Sequence, residues 1–568
     1  MRFTPFLIAA LILTSSPARA GNSTPDGQGV ETYLFPTDAS HRINSGFADY
    51  RASHFHGGVD ISTNGKIGYP VYAAKSGYVY RVSVSPFGYG KRIVLRHDDS
   101  TFTLYGHLSA FSEEIENRVK AAQQAEGKYD VDLRLAPNEI RVERGEIIAR
   151  TGATGVGGPH LHFEIHDKDY SFVDPLIYKT LDVSGYRTPR IFNVAVRGFL
   201  SGRAHVSRVV RLRRGYRARD VFRMSEPFYF IVHAADSYGR GRFKRPPKHI
   251  DLRIDDREFI TLNLTHFEPG DYLDVKSLVD MKLSRGYKTY YILCVDRAIP
   301  FTVFSPSTPL SGLVDGKVLK DGAHSYTITV SDEDGDSASV SGKFVLNLKS
   351  GRAVADPAGD ELLTMLPFKE KVVSPLPGLT LRFPVNAFVR DVDLEVTSIS
   401  PTAFRIRASG ESLRRRVQLT WKVSDPKVQL FRKGRRNWIH VPCMNNGKSL
   451  TADIGYEIGE FALIRDNTPP VVRRIRVSRK NPFYRSVAPT QFRRDFVYFR
   501  VFDKLSNINT DDILLKVGNQ NFLCEYDADK HAAICRVDAG LLRRERKVEI
   551  VVRDNAGNER TITSRLRL

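Results

Sequence analysis

The sequence predicts a mainly β protein, an antiparallel β-sheet domain followed by several β-sandwich domains, and alternation and repetition carry the prediction. In His160-Leu161-His162-Phe163-Glu164-Ile165 polar and apolar residues alternate. On a strand both imidazoles therefore share one face, while Leu161, Phe163 and Ile165 anchor the other face in a core. Thr103-Leu104-Tyr105-Gly106-His107 alternates likewise and sets His107 on the face of Thr103 and Tyr105. From about residue 186 the chain becomes a succession of short β-runs broken by Gly, Pro, Asn and Asp, with little helical period. That is the pattern of sandwiches.

An internal echo supports the repeated units. Tyr326 to Asp336 echoes Val548 to Asn558, each a strand running into an acidic, glycine-bearing turn. Each follows an earlier strand ending in aspartate, Phe228 to Asp236 for the first and Phe496 to Asp503 for the second. These units resemble bacterial immunoglobulin-like modules. One is expected at 186–350 and another at 467–568, with a further β-rich domain at 351–466 between them. The boundaries fall at Lys349 to Gly359 and at Asp466 to Pro470, where proline and polar residues break the strand pattern.

The rest of the chain bounds its class. At 568 residues it is long enough for about three to five domains, each with its own core. Residues 1–20 read as a secretory signal peptide, with Arg2, an apolar run from Phe6 to Leu13, and Ala18-Arg19-Ala20 as a cleavage site. That run is too short to span a bilayer, and no other approaches the required length, so no transmembrane anchor is expected. An exported protein sits where disulfides persist. Cys524 and Cys535, flanking a polar turn, are the expected pair, and Cys294 and Cys443 are expected as thiols. Net charge is +21, yet residues 1–180 hold 19 Lys and Arg against 20 Asp and Glu. The basic excess therefore belongs to the C-terminal two-thirds, in runs such as Arg414-Arg415-Arg416 and Arg543-Arg544-Glu545-Arg546-Lys547. After export this excludes nucleic acid as the natural partner and points to anionic envelope material.

Chemistry concentrates near the N-terminus. His56-Gly57-Gly58-Val59-Asp60 offers an imidazole and a carboxylate four residues apart, across glycines that favour a tight loop. Two imidazoles and one carboxylate, with a fourth position for water, are the donors of a catalytic zinc. The same donors make the facial triad of non-haem iron enzymes, although those usually place the carboxylate about two residues after the first histidine.

Several motifs in order extend the pattern: His56 to Asp60, Gly68-Tyr69-Pro70-Val71-Tyr72-Ala73-Ala74, Gly88-Tyr89-Gly90, Tyr105-Gly106-His107-Leu108, Thr151 to Gly155, and Gly158-Pro159-His160-Leu161-His162-Phe163. Residues 40–180 thereby resemble the lysostaphin-type (LytM-like) zinc metallopeptidases of bacterial peptidoglycan. The resemblance implies a zinc metallopeptidase domain at 21–185 in which His56, Asp60 and His162 hold zinc. It leaves His107 and His160 as unligated catalytic imidazoles facing water and substrate, their division of labour open. His54 is expected at the rim and Tyr50 in packing. The implied protein is an exported, periplasmic or envelope zinc metalloendopeptidase hydrolysing peptide cross-links of peptidoglycan. The alternative is a non-hydrolytic LytM-like scaffold that activates another cell-wall hydrolase through a protein partner. Family members that lose ligands become such scaffolds, and all five positions are intact here.

The chain departs from the family pattern between Leu108 and Arg141. Phe111, Ile115, Val119 and Ala122 recur at helical spacing, with Ser112 as N-cap and Glu113 and Glu114 in the first turn. An inserted helix is expected near 112–137, followed by an irregular return through Gly127 to Pro137, on a rim of the groove.

Overall fold

The computed structural model describes residues 32–567 apart from 52–53, 179–185, 213–214, 239–242, 272–274, 285–287, 295–302, 305–311, 351–368, 386, 389–391, 409–412, 414, 456–457 and 488–493. The signal-peptide reading and most of the boundary at Lys349 to Gly359 lie outside the described residues. The fold is mainly β, and nearly all pairing is antiparallel.

The N-terminal sheet is built around its histidine strand. In chain order we label β1 (Ile43–Ser45), β2 (Val59–Ser62), β3 (Gly77–Val84), β4 (Lys91–His97), β5 (Phe102–Gly106), α1 (Glu113–Glu126) and β6 (His160–His166). Their spatial order is β1-β2-β6-β5-β4-β3. The period of two is realised on β6: Leu161, Phe163 and Ile165 are fully buried in a core with Val59, Ile61, Val79, Ile93 and Tyr105. The opposite face of β6 carries His160, His162, Glu164 and His166.

Helix α1 is amphipathic, with Ile115, Val119 and Ala122 buried and Glu113, Glu114 and Glu116 in its first turn. Ser112 occupies the N-cap with extended backbone, but its side chain makes no capping bond. Gly127 closes the helix at φ 66°, a left-handed turn that only glycine adopts without cost. The expected irregular return is corrected by the structure: Val131–Arg134 forms a strand that pairs with β3 from Arg81 to Val84. Val131 is buried and Leu133 packs against the core, so even this four-residue run gains from pairing.

Beyond residue 186 three β-rich cores follow. The first belongs to a 12-stranded sheet built from Tyr186–Gly198 to Ser337–Leu346. The second is enclosed by two five-stranded sheets from Lys371–Val373 to Glu460–Arg465. The third lies between two four-stranded sheets from Val471–Ser478 to Glu559–Arg565. These layers are compatible with immunoglobulin-like modules. Both echoed segments form hairpins, Gly322–Ser331 with Ser337–Leu346 and Lys547–Asp554 with Glu559–Arg565. The earlier strand of each unit does not pair with its later one, Arg494–Phe502 lying in the sheet opposite Lys547–Asp554. Cys524 and Cys535 are disulfide-bonded, while Cys294 and Cys443 are thiols.

Tyr33 to Leu568 form one compact unit, because two of these modules grip the N-terminal sheet. Phe47 and Phe55 are fully buried in the core of the first module, both stacked on Phe267 with ring centroids 4.9 and 5.1 Å away. Burying a phenylalanine is worth about 1.5–3 kcal/mol, so these two alone fasten the loop that carries them. From the last module, Glu525 pairs with Lys91, the Arg536 guanidinium donates to the Ser109 carbonyl (2.7 Å), and Arg485–Ser486 pairs in parallel with Lys66–Ile67.

Candidate metal centre and active site

Register alone brings the first two donors together. On β2 and β6 Asp60 lies directly across from His162, as Ser62 does from His160. His56 arrives from the 46–56 loop, which is closed by the bridge between Tyr50 and Phe55 and by the His56 amide donating to the Asp49 carbonyl (2.9 Å). The result is a triangle of donor atoms. His56 Nε2 lies 3.0 Å from Asp60 Oδ1 and 3.0 Å from His162 Nδ1, and His162 Nδ1 lies 2.9 Å from Asp60 Oδ1.

The protons show what this triangle suits. His56 Nδ1 lies 2.7 Å from the Gly46 carbonyl, and His162 Nε2 lies 2.8 Å from Glu164 Oε1. Both partners only accept, so both of those nitrogens carry hydrogen and the neutral rings turn bare lone pairs on the same point as Asp60. Three acceptors converging there require a cation. Tetrahedral zinc, with nitrogen and oxygen donors at about 2.0–2.2 Å, separates its ligands by about 3.3 Å, close to the spacing present. The residues fit a metal. With protons alone, burial disfavours a charged His162, but Asp60 and Glu164 outweigh burial and raise it to about 9. Asp60 is likewise buried, yet the surrounding histidines hold its carboxyl well below the usual range.

His107 and His160 stand beside the triangle. His107 follows β5 at φ 59°, and its Nδ1–H donates to the Thr154 carbonyl (2.9 Å), which leaves Nε2 toward the groove. His160 Nδ1 lies 2.7 Å from the Gly158 carbonyl, while its Nε2 reaches within 3.5 Å of Asp60 Oδ1. The two rings are 4.4 Å apart. Burial, reinforced by His160, brings His107 down to about 3, and burial also lowers His160. Both are neutral near pH 7, the form that accepts a proton.

The sequence reading missed the support. Glu164, 1% exposed, takes His162 on one oxygen together with the Tyr89 hydroxyl (2.7 Å), and His166 on the other (2.8 Å). Its signal was the continued alternation of β6, which sets Glu164 on the histidine face. Arg51 was also missed: its guanidinium lies 3.6 Å from Asp60 Oδ2 and donates to Ser45 Oγ (2.7 Å). His54 is half-buried and joins no donor cluster among the described residues. Tyr50 turns away, its hydroxyl meeting Met281 Sδ at 3.1 Å.

Fold and site together define a β-sheet domain with a candidate metal centre. Residues 54–125 match peptidase family M23, and this part of the chain is similar to M23 (LytM-type) peptidases. It is 33% identical over 160 residues to an uncharacterized metalloprotease of Haemophilus influenzae, covering 27% of this chain and 28% of that protein. It is 27% identical over 170 residues to the murein hydrolase activator NlpD of Salmonella typhimurium, covering 30% and 37%. It is 36% identical over 110 residues to the DD-carboxypeptidase/endopeptidase Mpg of Neisseria meningitidis serogroup B, covering 19% of each. The chain thus spans less than two-fifths of the length of these relatives. No helix among the described residues is long and apolar enough to cross a membrane.

Proposed function

We propose that the protein is an exported, periplasmic zinc endopeptidase that hydrolyses peptide cross-links of bacterial peptidoglycan. The carrying observation is the donor triangle of His56, Asp60 and His162, with two neutral imidazoles beside it. Zinc held there would polarise a scissile carbonyl and lower the pKa of water toward about 7. His56, Asp60 and His162 hold it, and Gly46 and Glu164 fix the two rings that do so. One of the free imidazoles takes the proton of the attacking water at Nε2. The other, once it is protonated at Nε2, donates toward the oxyanion or the leaving amine. The Thr154 and Gly158 carbonyls hold both rings in the tautomer that leaves Nε2 bare. The relative named Mpg, an endopeptidase, supports the class of bond.

A second reading is favoured by one observation. The last module docks on Lys91 and Ser109, both adjoining the segments that hold His107, and a relative is named a murein hydrolase activator. On that reading the domain is a scaffold for a separate wall hydrolase.

Digestion of purified peptidoglycan separates the two. Zinc-loaded protein, His162→Ala and a chelated sample are incubated with sacculi, and released fragments are weighed by mass spectrometry. New peptide ends that vanish in both controls are expected. No release by the zinc-loaded protein, together with stimulated release when another wall hydrolase is added, would establish the scaffold instead.

A further inference from the structure

Asp466, Asp503 and Asp554 each present one carboxylate oxygen, and these three atoms lie within 4.8 Å of one another. Asp466 follows the last strand of the 371–465 unit, while Asp503 and Asp554 end strands in the two opposite sheets of the last module. The cluster sits at the junction of the two. The Asp466 amide donates to the Lys427 carbonyl (3.0 Å) on one side, and the Asn558 amide group donates to the Asp466 carbonyl (3.1 Å) on the other.

Asp466 and Asp554 are fully buried, yet among the described residues no lysine, arginine or histidine forms an ion pair with any of the three. Like charges gathered in this way are costly unless a cation joins them. A second observation points inward. Ser506 is fully buried, its amide donates to Asp466 Oδ2 (3.1 Å), and its hydroxyl is left without a hydrogen-bond partner of good geometry. An orphaned hydroxyl beside three carboxylates is an oxygen donor without a recipient.

The echoed unit shows how the same arrangement is settled elsewhere in the chain. There the early strand ends at Asp236 and the late strand at Asp332. Asp332 accepts the amides of Asp334 and Asp336 at 3.1 and 2.9 Å, just as Asp554 accepts those of Ala556 and Asn558 at 2.9 and 2.8 Å. In that unit the buried Arg245 guanidinium pairs with Asp236 and Glu333, and its charge offsets part of the burial that raises Asp332. One module carries its own cation, whereas among the described residues no basic side chain pairs with the cluster of the last module.

We infer that Asp466, Asp503, Asp554 and the Ser506 hydroxyl form a binding site for a hard divalent cation, calcium, at the junction of the last two modules. All donors are oxygen, which excludes the thiolate and imidazole chemistry that favours zinc or copper. The ion replaces the guanidinium of the echoed unit and ties the linker at Asp466 to both sheets of the last module. Because that module rests on the peptidase domain, bound calcium also stiffens the docking.

The test titrates CaCl2 into zinc-loaded full-length protein by calorimetry and records thermal unfolding with and without the ion. One site per chain is expected, with a dissociation constant of about 0.1–1 mM as in other extracellular modules, and a rise in the melting midpoint. Asp503→Asn, at the half-exposed position, and Asp554→Asn are expected to weaken binding at least tenfold and abolish the rise. Should Asp554→Asn fail to fold, Asp503→Asn decides. No binding heat up to about 10 mM CaCl2, or binding undiminished in Asp503→Asn, overturns the site.

Discussion

At the residue scale the donor triangle depends on atoms that hold no metal themselves. Glu164 is the clearest case, since it orients His162, takes a hydroxyl from Tyr89 and is backed by His166 within a buried network. Glu164→Gln keeps the shape but removes the charge that pins the His162 tautomer. Zinc affinity is expected to fall about 10–100-fold, measured by competition with a chromogenic chelator; unchanged affinity would reduce Glu164 to packing. His107→Ala separates catalysis from binding. It should leave zinc content at one per chain while lowering the turnover of a peptidoglycan fragment by about 100–10,000-fold. What the sequence disclosed here came through its resemblance to a metallopeptidase family: five residues in three segments stood out because metal chemistry restricts their types. The Gly46 and Thr154 carbonyls were not, because a backbone acceptor leaves no trace in residue identity.

At the element scale, the face that β6 offers is set by its register against β2. His162 lies opposite Asp60 only because the two strands approach closely where Gly58 precedes Val59. A Cβ on Gly58 would sit 2.2 Å from the Phe163 carbonyl oxygen and 2.9 Å from its carbon, both backbone atoms of β6. Neither can swing aside as a side chain would. Gly58→Ala is therefore expected to destabilise the domain by more than about 2 kcal/mol and to lose stoichiometric zinc, seen in urea unfolding and metal analysis of the same samples. A stable, zinc-replete variant would mean that β2 and β6 can slide apart without cost. Alternation made β6 readable and helical spacing made α1 readable, but His107 does not share the face of Tyr105 as alternation predicted: β5 ends at Gly106, His107 turns away at φ 59° toward His160, and Tyr105 stays in the core. The strand Val131–Arg134 was hidden because it is short and its partner, β3, lies some fifty residues upstream.

At the scale of the whole molecule the C-terminal modules act as clamps on the site. Phe47 and Phe55 bind the loop carrying His56 and the Gly46 carbonyl into the first module's core. Glu525 and Arg536 of the last module hold Lys91 and Ser109. The Lys91 amide in turn donates to Thr154 Oγ1 (2.9 Å), and the Thr154 carbonyl holds His107. Nothing in the sequence announces a pair 434 residues apart. Its contribution has a pH signature. Burial pushes the Glu525 carboxyl up, but Lys91 and Arg536 beside it more than offset burial and leave it lowered. A carboxylate lowered in the folded state stabilises above its unfolded value of about 4.3, and that stabilisation is lost as pH falls through the folded value. Glu525→Gln should therefore lower the melting midpoint of the full chain at pH 7, with the gap to the parent protein closing below about pH 4. In a double-mutant cycle with Lys91→Met the coupling at pH 7 should exceed about 1 kcal/mol, because removing one partner strands a buried charge. A coupling near zero at pH 7 would mean that the last module is held by its strand pairing at Arg485–Ser486 and by the Arg536 contact, with the ion pair incidental.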